Sequence, residues 1–311
     1  MKTSVVISTY NGEKYILEQL DSIRTQTLTV DEVLIFDDRS HDNTVELCRD
    51  FINKFNLENW KVLNNEKNKG FVKNFIDGLY ETTGDIIFLA DQDDIWCRNK
   101  VELTLNIFRK KKCLSLASTF SRFDINNKCV DSHVKHPNRK KNGLKQITLD
   151  DYCHFNAYLG MATAISRNLM IKYDLRKFCN HFKSHDIMIN YVAVINRGLY
   201  FYDYPLVARR SYYGSTSNSQ IIDAVEKLNG NSLLFNCQTD LSWYRSYLEI
   251  KIEDDQQNRL ISRYIHLHSR RLDYLKNLSI KRFLLNYRLL FSKIRLRYVK
   301  DFFGLLRLKN K

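Results

Sequence analysis

The chain has 311 residues, 44% of them hydrophobic and 13% aromatic, which supplies a large core and excludes a globally disordered protein. Seven cysteines (48, 97, 113, 129, 153, 179 and 237), scattered and without a Cys-x-x-Cys pair, exclude a disulfide framework and a zinc ribbon and point to a reducing compartment. The net charge of +14 is uneven: residues 1–100 carry −6, residues 101–216 carry +11, residues 217–280 are neutral and residues 281–311 carry +9.

The first ~120 residues alternate strand-like and helix-like segments at the spacing of βαβ units. Val5 to Ser8 reads as a strand, and it turns polar too soon for a signal peptide. Ile16, Leu17, Leu20 and Ile23 have helical spacing, and Glu32 to Phe36 is a second strand running into Asp37-Asp38. Ser40 to Thr44 offers N-caps for a helix carrying Val45, Leu47, Phe51, Ile52 and Phe55. Trp60 to Leu63 is a short strand, and Gly70 to Tyr80 is a helix with Phe71, Phe75, Ile76 and Leu79 on one face. Asp85 to Ala90 is nearly all apolar, as in a parallel sheet covered on both faces. Further on, Leu114 to Ser118 is strand-like and Lys135 to Lys145 is a basic loop. Tyr158 to Ile165 is apolar, a helical stretch runs through Asp186 to Ile195, and residues 199–204 and 206–209 are strand-like. After about residue 219 only helical spacing remains. The pattern predicts an α/β sandwich with a mostly parallel sheet over 1–218 and a helical extension over 219–311.

Polar clusters fall where three strands end: Thr9-Tyr10-Asn11-Gly12, Asp37-Asp38 and Asp91-Gln92-Asp93-Asp94. Open α/β sheets bind ligands outside the carboxyl ends of their strands, so these turns should line one crevice. Any one of them could be a helix N-cap; three together argue for a site. Carboxylates as close as Asp91, Asp93 and Asp94 repel unless a cation sits among them, which suggests a divalent metal bound with diphosphate oxygens.

The segments Ser4 to Gly12, Phe36 to Thr44 and Leu89 to Trp96, with Asn68-Lys69-Gly70 and Asn74, resemble glycosyltransferase family 2, of GT-A fold. The run Ala90-Asp91-Gln92-Asp93-Asp94-Ile95-Trp96 is most similar to its bacterial rhamnosyltransferase-like branch, which builds surface polysaccharides. The resemblance covers roughly residues 3–215. It implies a nucleotide-binding half over about 1–96 and an acceptor half over about 97–218. It also implies that Thr9, Tyr10, Asn11 and Glu13 receive the nucleotide base, that Asp38 bonds the pyrimidine, and that Lys69 and Asn74 line the nucleoside. Asp91 and Asp93 match the metal motif for Mn²⁺ or Mg²⁺, with Asp93 the direct ligand. Asp186 matches the catalytic base, in a pair with His185. An Arg-x-His-x-x-Asn-like stretch of related enzymes is replaced by Arg209 to Thr216, without His, where Arg210 is left to contact diphosphate.

The expected activity is inverting, non-processive transfer from a UDP- or dTDP-activated sugar to a saccharide acceptor on a polyprenol carrier. Processive synthases of the superfamily carry Gln-x-x-Arg-Trp and a membrane span, and this chain has neither. A nucleotidyltransferase needs an early Gly-rich phosphate loop, whereas only Gly12 precedes Gly70. In 281–311, Leu284, Tyr287, Phe291, Ile294, Tyr298, Phe302 and Leu305 form an apolar stripe flanked by Arg288, Lys293, Arg295 and Lys300. That pattern fits an amphipathic helix on an anionic membrane, or one packed on protein. The expected location is the cytoplasmic face of the membrane, with the helices before residue 281 as candidate oligomerisation segments. Nucleic acid would also account for a basic chain. The acidic front half and the concentration of charge on an apolar helix argue against it.

Overall fold

A computed structural model describes residues 1–123, 129–131, 143–154, 158–210 and 232–277. Among these, four parallel strands form the N-terminal half of one sheet: β1 (Thr3–Thr9), β2 (Glu32–Asp37), β3 (Trp60–Asn64) and β4 (Ile86–Asp91). Their order is β3-β2-β1-β4, and each crossover is a helix: α1 (Ile16–Arg24), α2 (Thr44–Lys54) and α3 (Phe71–Glu81). Val5, Val6, Ile7, Ile86, Ile87, Phe88 and Leu89 are essentially without solvent exposure, because both faces of these strands are covered. Burying one such side chain contributes about 1.5–3 kcal/mol, so β1 and β4 anchor the turns that follow them.

Beyond β4 the chain makes the short strand β5 (Ile95–Trp96), helix α4 (Lys100–Lys110) and strand β6 (Ser115–Phe123). Strands β7 (Cys129–Asp131) and β8 (Leu144–Gln146) are three residues each. A 3₁₀ turn at Gly160–Ala162 leads into β9 (Thr163–Ser166), and β10 (Leu199–Arg210) closes the sheet. The full order is β3-β2-β1-β4-β9-β6-β10-β5, with β7 on β6 and β8 on β10. Most paired residues lie in parallel ladders. The exception in the middle is β9, which runs antiparallel to both β4 and β6. The two strands expected at 199–204 and 206–209 are one strand, irregular around Pro205 where its register against β6 shifts. A proline lacks the N–H that a regular ladder needs.

Helices α5 (Leu149–His154), α6 (Arg167–Lys172) and α7 (His185–Ile195) complete this part of the chain. Two compact units divide the protein, with boundaries at 148/149, 154/155 and 212/213. The smaller unit contains α5 together with α8 (Ser232–Tyr247) and α9 (Asp255–Lys276). Buried tyrosines hold it: Tyr244 donates to the Cys153 carbonyl, and Tyr264 donates to Asp150 at 3.0 Å. Asp240 pairs inside it with Arg271 at 3.4 Å. No helix among the described residues is long and apolar enough to cross a membrane. The expected boundary at 218/219, most of the basic loop at 135–145 and the basic stripe at 281–311 lie outside the described residues.

Candidate active site

The ends of β1 and β2 are stitched together by their own polar side chains. Asp37 accepts from the Thr9 hydroxyl at 2.9 Å and from the Ser40 N–H at 2.8 Å. The Asn11 N–H donates to Ser40 Oγ at 2.9 Å, and Asn11 Oδ1 accepts the His41 N–H at 2.8 Å. Glu13 accepts from both the backbone and the side-chain amide of Asn43, each at 3.0 Å. Thr9 is buried, while the Tyr10 ring is 45% exposed over the turn. Thr9, Tyr10, Asn11 and Glu13 are thus brought together, Thr9, Asn11 and Glu13 through side-chain bonds that shape the loop.

Asp38 is 2% exposed and holds the segment after β3. Its oxygens accept the Lys69 N–H at 2.8 Å, the Gly70 N–H at 2.8 Å and the Asn65 amide at 2.9 Å. Asn65 also donates to Asn74 Oδ1 at 2.8 Å, and Asn74 donates to Ser8 Oγ at 2.7 Å and to the Phe36 carbonyl at 2.8 Å. Asn74 has no exposed surface. Its amide ties β1, β2 and α3 beneath the crevice, and the Lys69 ammonium pairs with Asp77 at 2.7 Å. Asn74→Ala should remove three hydrogen bonds from a side chain with no exposed surface, to Ser8, to Asn65 and to the Phe36 carbonyl, each contributing about 0.5–1.5 kcal/mol. Urea unfolding should report a loss of roughly 2–4 kcal/mol. A loss of nucleotide affinity at unchanged stability would instead make Asn74 a ligand contact.

At the end of β4, carboxylate oxygens of Asp91, Asp93 and Asp94 lie within 4.8 Å of one another. Burial, and then the charge of Asp93, push the Asp91 carboxyl up to about 7; the nearby Asp186 adds to the same effect. Burial and the other two carboxylates hold Asp94 well above the usual carboxylate range. An all-oxygen donor set under this repulsion suits a hard divalent cation. Behind it, Lys100 is 1% exposed, donates to the Met161 carbonyl at 2.9 Å and lies 4.1 Å from the Trp96 ring centre. Burial brings that ammonium down to about 7, against the opposing pull of Asp94 and Asp91.

Asp94 has a structural partner as well: it accepts the Arg210 N–H at 3.0 Å. The Arg210 guanidinium donates to the Asp93 carbonyl at 3.1 Å and to Glu18 at 2.8 Å, and it packs between the rings of Tyr15 and Phe123. With its side chain 3% exposed, Arg210 fastens β10 to the acidic turn and to α1. The neighbouring Arg209 is half-buried and close enough to oppose the upward shift of both Asp91 and Asp94. Residues 211–216, where a histidine is missing from the sequence pattern, lie outside the described residues.

Asp186 sits in the first turn of α7, where the helix dipole favours an anion. Its carboxylate accepts the Gly160 N–H at 3.0 Å, the Ile187 N–H at 2.7 Å and the Ser184 hydroxyl. His185 stacks on Phe75 at 4.0 Å between ring centres and meets Phe71 edge-on at 6.1 Å. Neither ring nitrogen has a hydrogen-bond partner, and burial lowers its pKa. The neutral imidazole is a wedge beside Asp186. Gly160 fits under it because a Cβ there would lie 2.5 Å from Nε2. Lys100 and Glu18 escape a motif-based reading, as does the bond from Arg210 to Asp94, since each contact joins residues distant in sequence. The available signal for Lys100 is a lysine opening the helix that follows the acidic turn.

Residues 4–163 match the family model described as glycosyl transferase family 2, just over half of the chain. A 133-residue stretch is 31% identical to an Escherichia coli UDP-Glc:α-D-GlcNAc-diphosphoundecaprenol β-1,3-glucosyltransferase, covering 42% of this chain and 50% of that protein. The chain spans from 16% to 54% of the length of the curated relatives it matches. Among solved structures, Staphylococcus aureus TarS 1–349 in complex with UDP-GlcNAc superposes with a TM-score of 0.58 at 20% identity, covering 96% of this chain and 89% of that one. A Pyrobaculum calidifontis mannosyltransferase in complex with GDP-Man and Mn²⁺ gives 0.59 at 16% identity, covering 98% and 85%. At these identities the structures establish the shared GT-A-like fold.

Proposed function

The chain belongs to glycosyl transferase family 2, and from that premise we propose that it is an inverting, divalent-metal-dependent, non-processive glycosyltransferase. Its donor in this reading is a UDP- or dTDP-activated sugar and its acceptor a lipid-linked saccharide of a surface polysaccharide. The observation that carries the reading is the trio Asp91, Asp93 and Asp94 at the end of β4, with Asp186 close enough to raise the Asp91 pKa. Metal-holding and proton-accepting carboxylates then share one crevice.

Asp93 and Asp91 would hold Mn²⁺ or Mg²⁺, which when bound neutralises the charge gathering on the departing nucleoside diphosphate. Tyr10 and Asp38 mark the nucleoside end of the crevice. Asp186 takes the proton of the attacking acceptor hydroxyl as that oxygen bonds the anomeric carbon and the carbon–diphosphate bond breaks. With base and leaving group on opposite faces of the sugar, one displacement inverts the centre. His185, neutral and packed, keeps Asp186 in place. The donor assignment draws on the UDP-GlcNAc and UDP-Glc named for the two bacterial relatives, and the metal on the Mn²⁺ of the archaeal one.

A calorimetric screen of UDP, dTDP and GDP with and without Mn²⁺ tests the reading. Mn²⁺-dependent binding of UDP or dTDP is expected; preference for GDP would overturn the donor, and metal-independent binding would overturn the metal role. The lipid-linked acceptor gives the basic stripe at 281–311 its proposed place, on the anionic cytoplasmic face of the membrane. Deleting 281–311 should cut sedimentation with phosphatidylglycerol-containing liposomes at least about tenfold, since each basic residue near such a surface is worth about 1 kcal/mol, and should spare nucleotide binding. Unchanged sedimentation would assign the stripe to packing on protein.

A further inference from the structure

Gln92 stands between the two metal-motif carboxylates, yet its side chain faces the other turn. The ladder between β1 and β4 ends at the pair Ser8 and Asp91. One step further, the Gln92 carboxamide supplies the next rung: Oε1 accepts the Tyr10 N–H at 2.8 Å and Nε2 donates to the Tyr10 carbonyl at 3.1 Å. Two bonds from one planar amide to both polar groups of one residue fix distance and rotation together. A glutamate at 92 would lose the donor, an asparagine the reach, and a leucine both.

A second residue is fitted to this contact. Gly12 lies against the carboxamide so closely that a Cβ would fall 2.6 Å from Gln92 Cδ. The Gly12 backbone cannot retreat, since its N–H donates to Thr44 Oγ1 at 2.7 Å and its carbonyl accepts the N–H groups of Tyr15 and Ile16, each at 3.1 Å. A methyl group at position 12 would therefore displace the flexible end of Gln92 and leave the fold in place.

Resting on the donor and metal reading above, we propose that Gln92 is a positioning residue that locks the metal-holding turn onto the nucleoside-reading turn, with Gly12 kept small to admit it. A nucleoside diphosphate spans these two turns, base at one end and diphosphate at the other. The clamp fixes the distance the ligand must bridge, so the ligand does not have to order the turns itself. A nucleoside alone touches one turn and gains nothing from the clamp.

The test compares uridine with UDP·Mn²⁺ by calorimetry in wild type, Gln92→Ala, Gly12→Ala and the double variant, with thermal midpoints recorded for each. Uridine affinity should stay within twofold and UDP·Mn²⁺ affinity should fall about tenfold in each single variant. The double variant should be no weaker than either, because both remove one contact. Equal weakening of uridine and UDP·Mn²⁺, no weakening of either, or additive losses in the double variant would each overturn the clamp. A wild-type protein that binds uridine but gains nothing from diphosphate and Mn²⁺ would overturn the metal reading itself and the clamp with it, an outcome separable from the others because it needs no variant.

Discussion

Replacing Asp93 with alanine is expected to lower sugar transfer by at least about 10³-fold, the scale at which loss of one preorganised charge-stabilising group is felt, while making the metal-free protein more resistant to heat at alkaline pH. Both effects have one cause. Asp91, Asp93 and Asp94 converge within 4.8 Å, and the charge of Asp93, after burial, is what pushes Asp91 up to about 7. A folded-state pKa above the ordinary value of 3.8 means that the folded chain holds a proton the unfolded chain has released. The associated stability is complete at low pH and is lost as pH rises through 7. Without Asp93 that loss shrinks, so the variant should melt above wild type at pH 8 in EDTA, and the gap should narrow toward pH 5. One kcal/mol corresponds to about 2–4 °C in a domain of this size, so scanning calorimetry resolves the difference. Added Mn²⁺ should reverse the order by stabilising wild type alone. A variant that keeps more than a tenth of wild-type turnover, or that is still stabilised by Mn²⁺, would remove Asp93 as the direct ligand and move that role to Asp91.

The parts of this fold that could be read from sequence are those whose signal is local. Val5 to Ser8, Glu32 to Phe36 and Asp85 to Ala90 are apolar runs bounded by polar turns, and β1, β2 and β4 fall on them. Position at the carboxyl end of a buried strand is likewise local, which is why the turns at Thr9, Asp37 and Asp91 could be assigned to one crevice. What stayed hidden depends on pairing across the chain. No periodicity reveals that β9 enters antiparallel between β4 and β6, or that residues 149–154 group with the C-terminal helices. Nor does a motif show which carboxylates also bond the backbone of a distant strand. Asp94 reads in sequence only as one of three clustered carboxylates, and nothing local reveals that it also holds the Arg210 N–H, while the Arg210 side chain bonds Glu18, 192 residues away. Asn74 is a comparable case, with a polar side chain turned wholly inward to join β1, β2 and α3.

Asp186→Asn should reduce transfer by about 10² to 10⁴-fold, the usual contribution of a positioned general base, with nucleotide binding unchanged. The competing role is a helix cap, and the structure makes that alternative concrete: the carboxylate accepts from Gly160, Ile187 and Ser184. Asparagine keeps one acceptor oxygen for Ile187 but sets an N–H₂ against the Gly160 N–H, so some destabilisation is expected under either role, about 1–3 kcal/mol for the unpaired donor. Stability alone therefore cannot separate them. Turnover at a temperature where the variant is fully folded can, because a cap acts through the folded fraction and a base acts on every turnover. Ser184→Ala supplies the control. It removes a donor to the same carboxylate and leaves the carboxylate itself, so it should cost stability while keeping most of the activity. If Asp186→Asn and Ser184→Ala lose activity only in proportion to their unfolding, Asp186 is a cap and the base must be sought elsewhere. If only Asp186→Asn loses turnover in the folded state, the bonds from Gly160 and Ile187 are what hold a working base in position against α7.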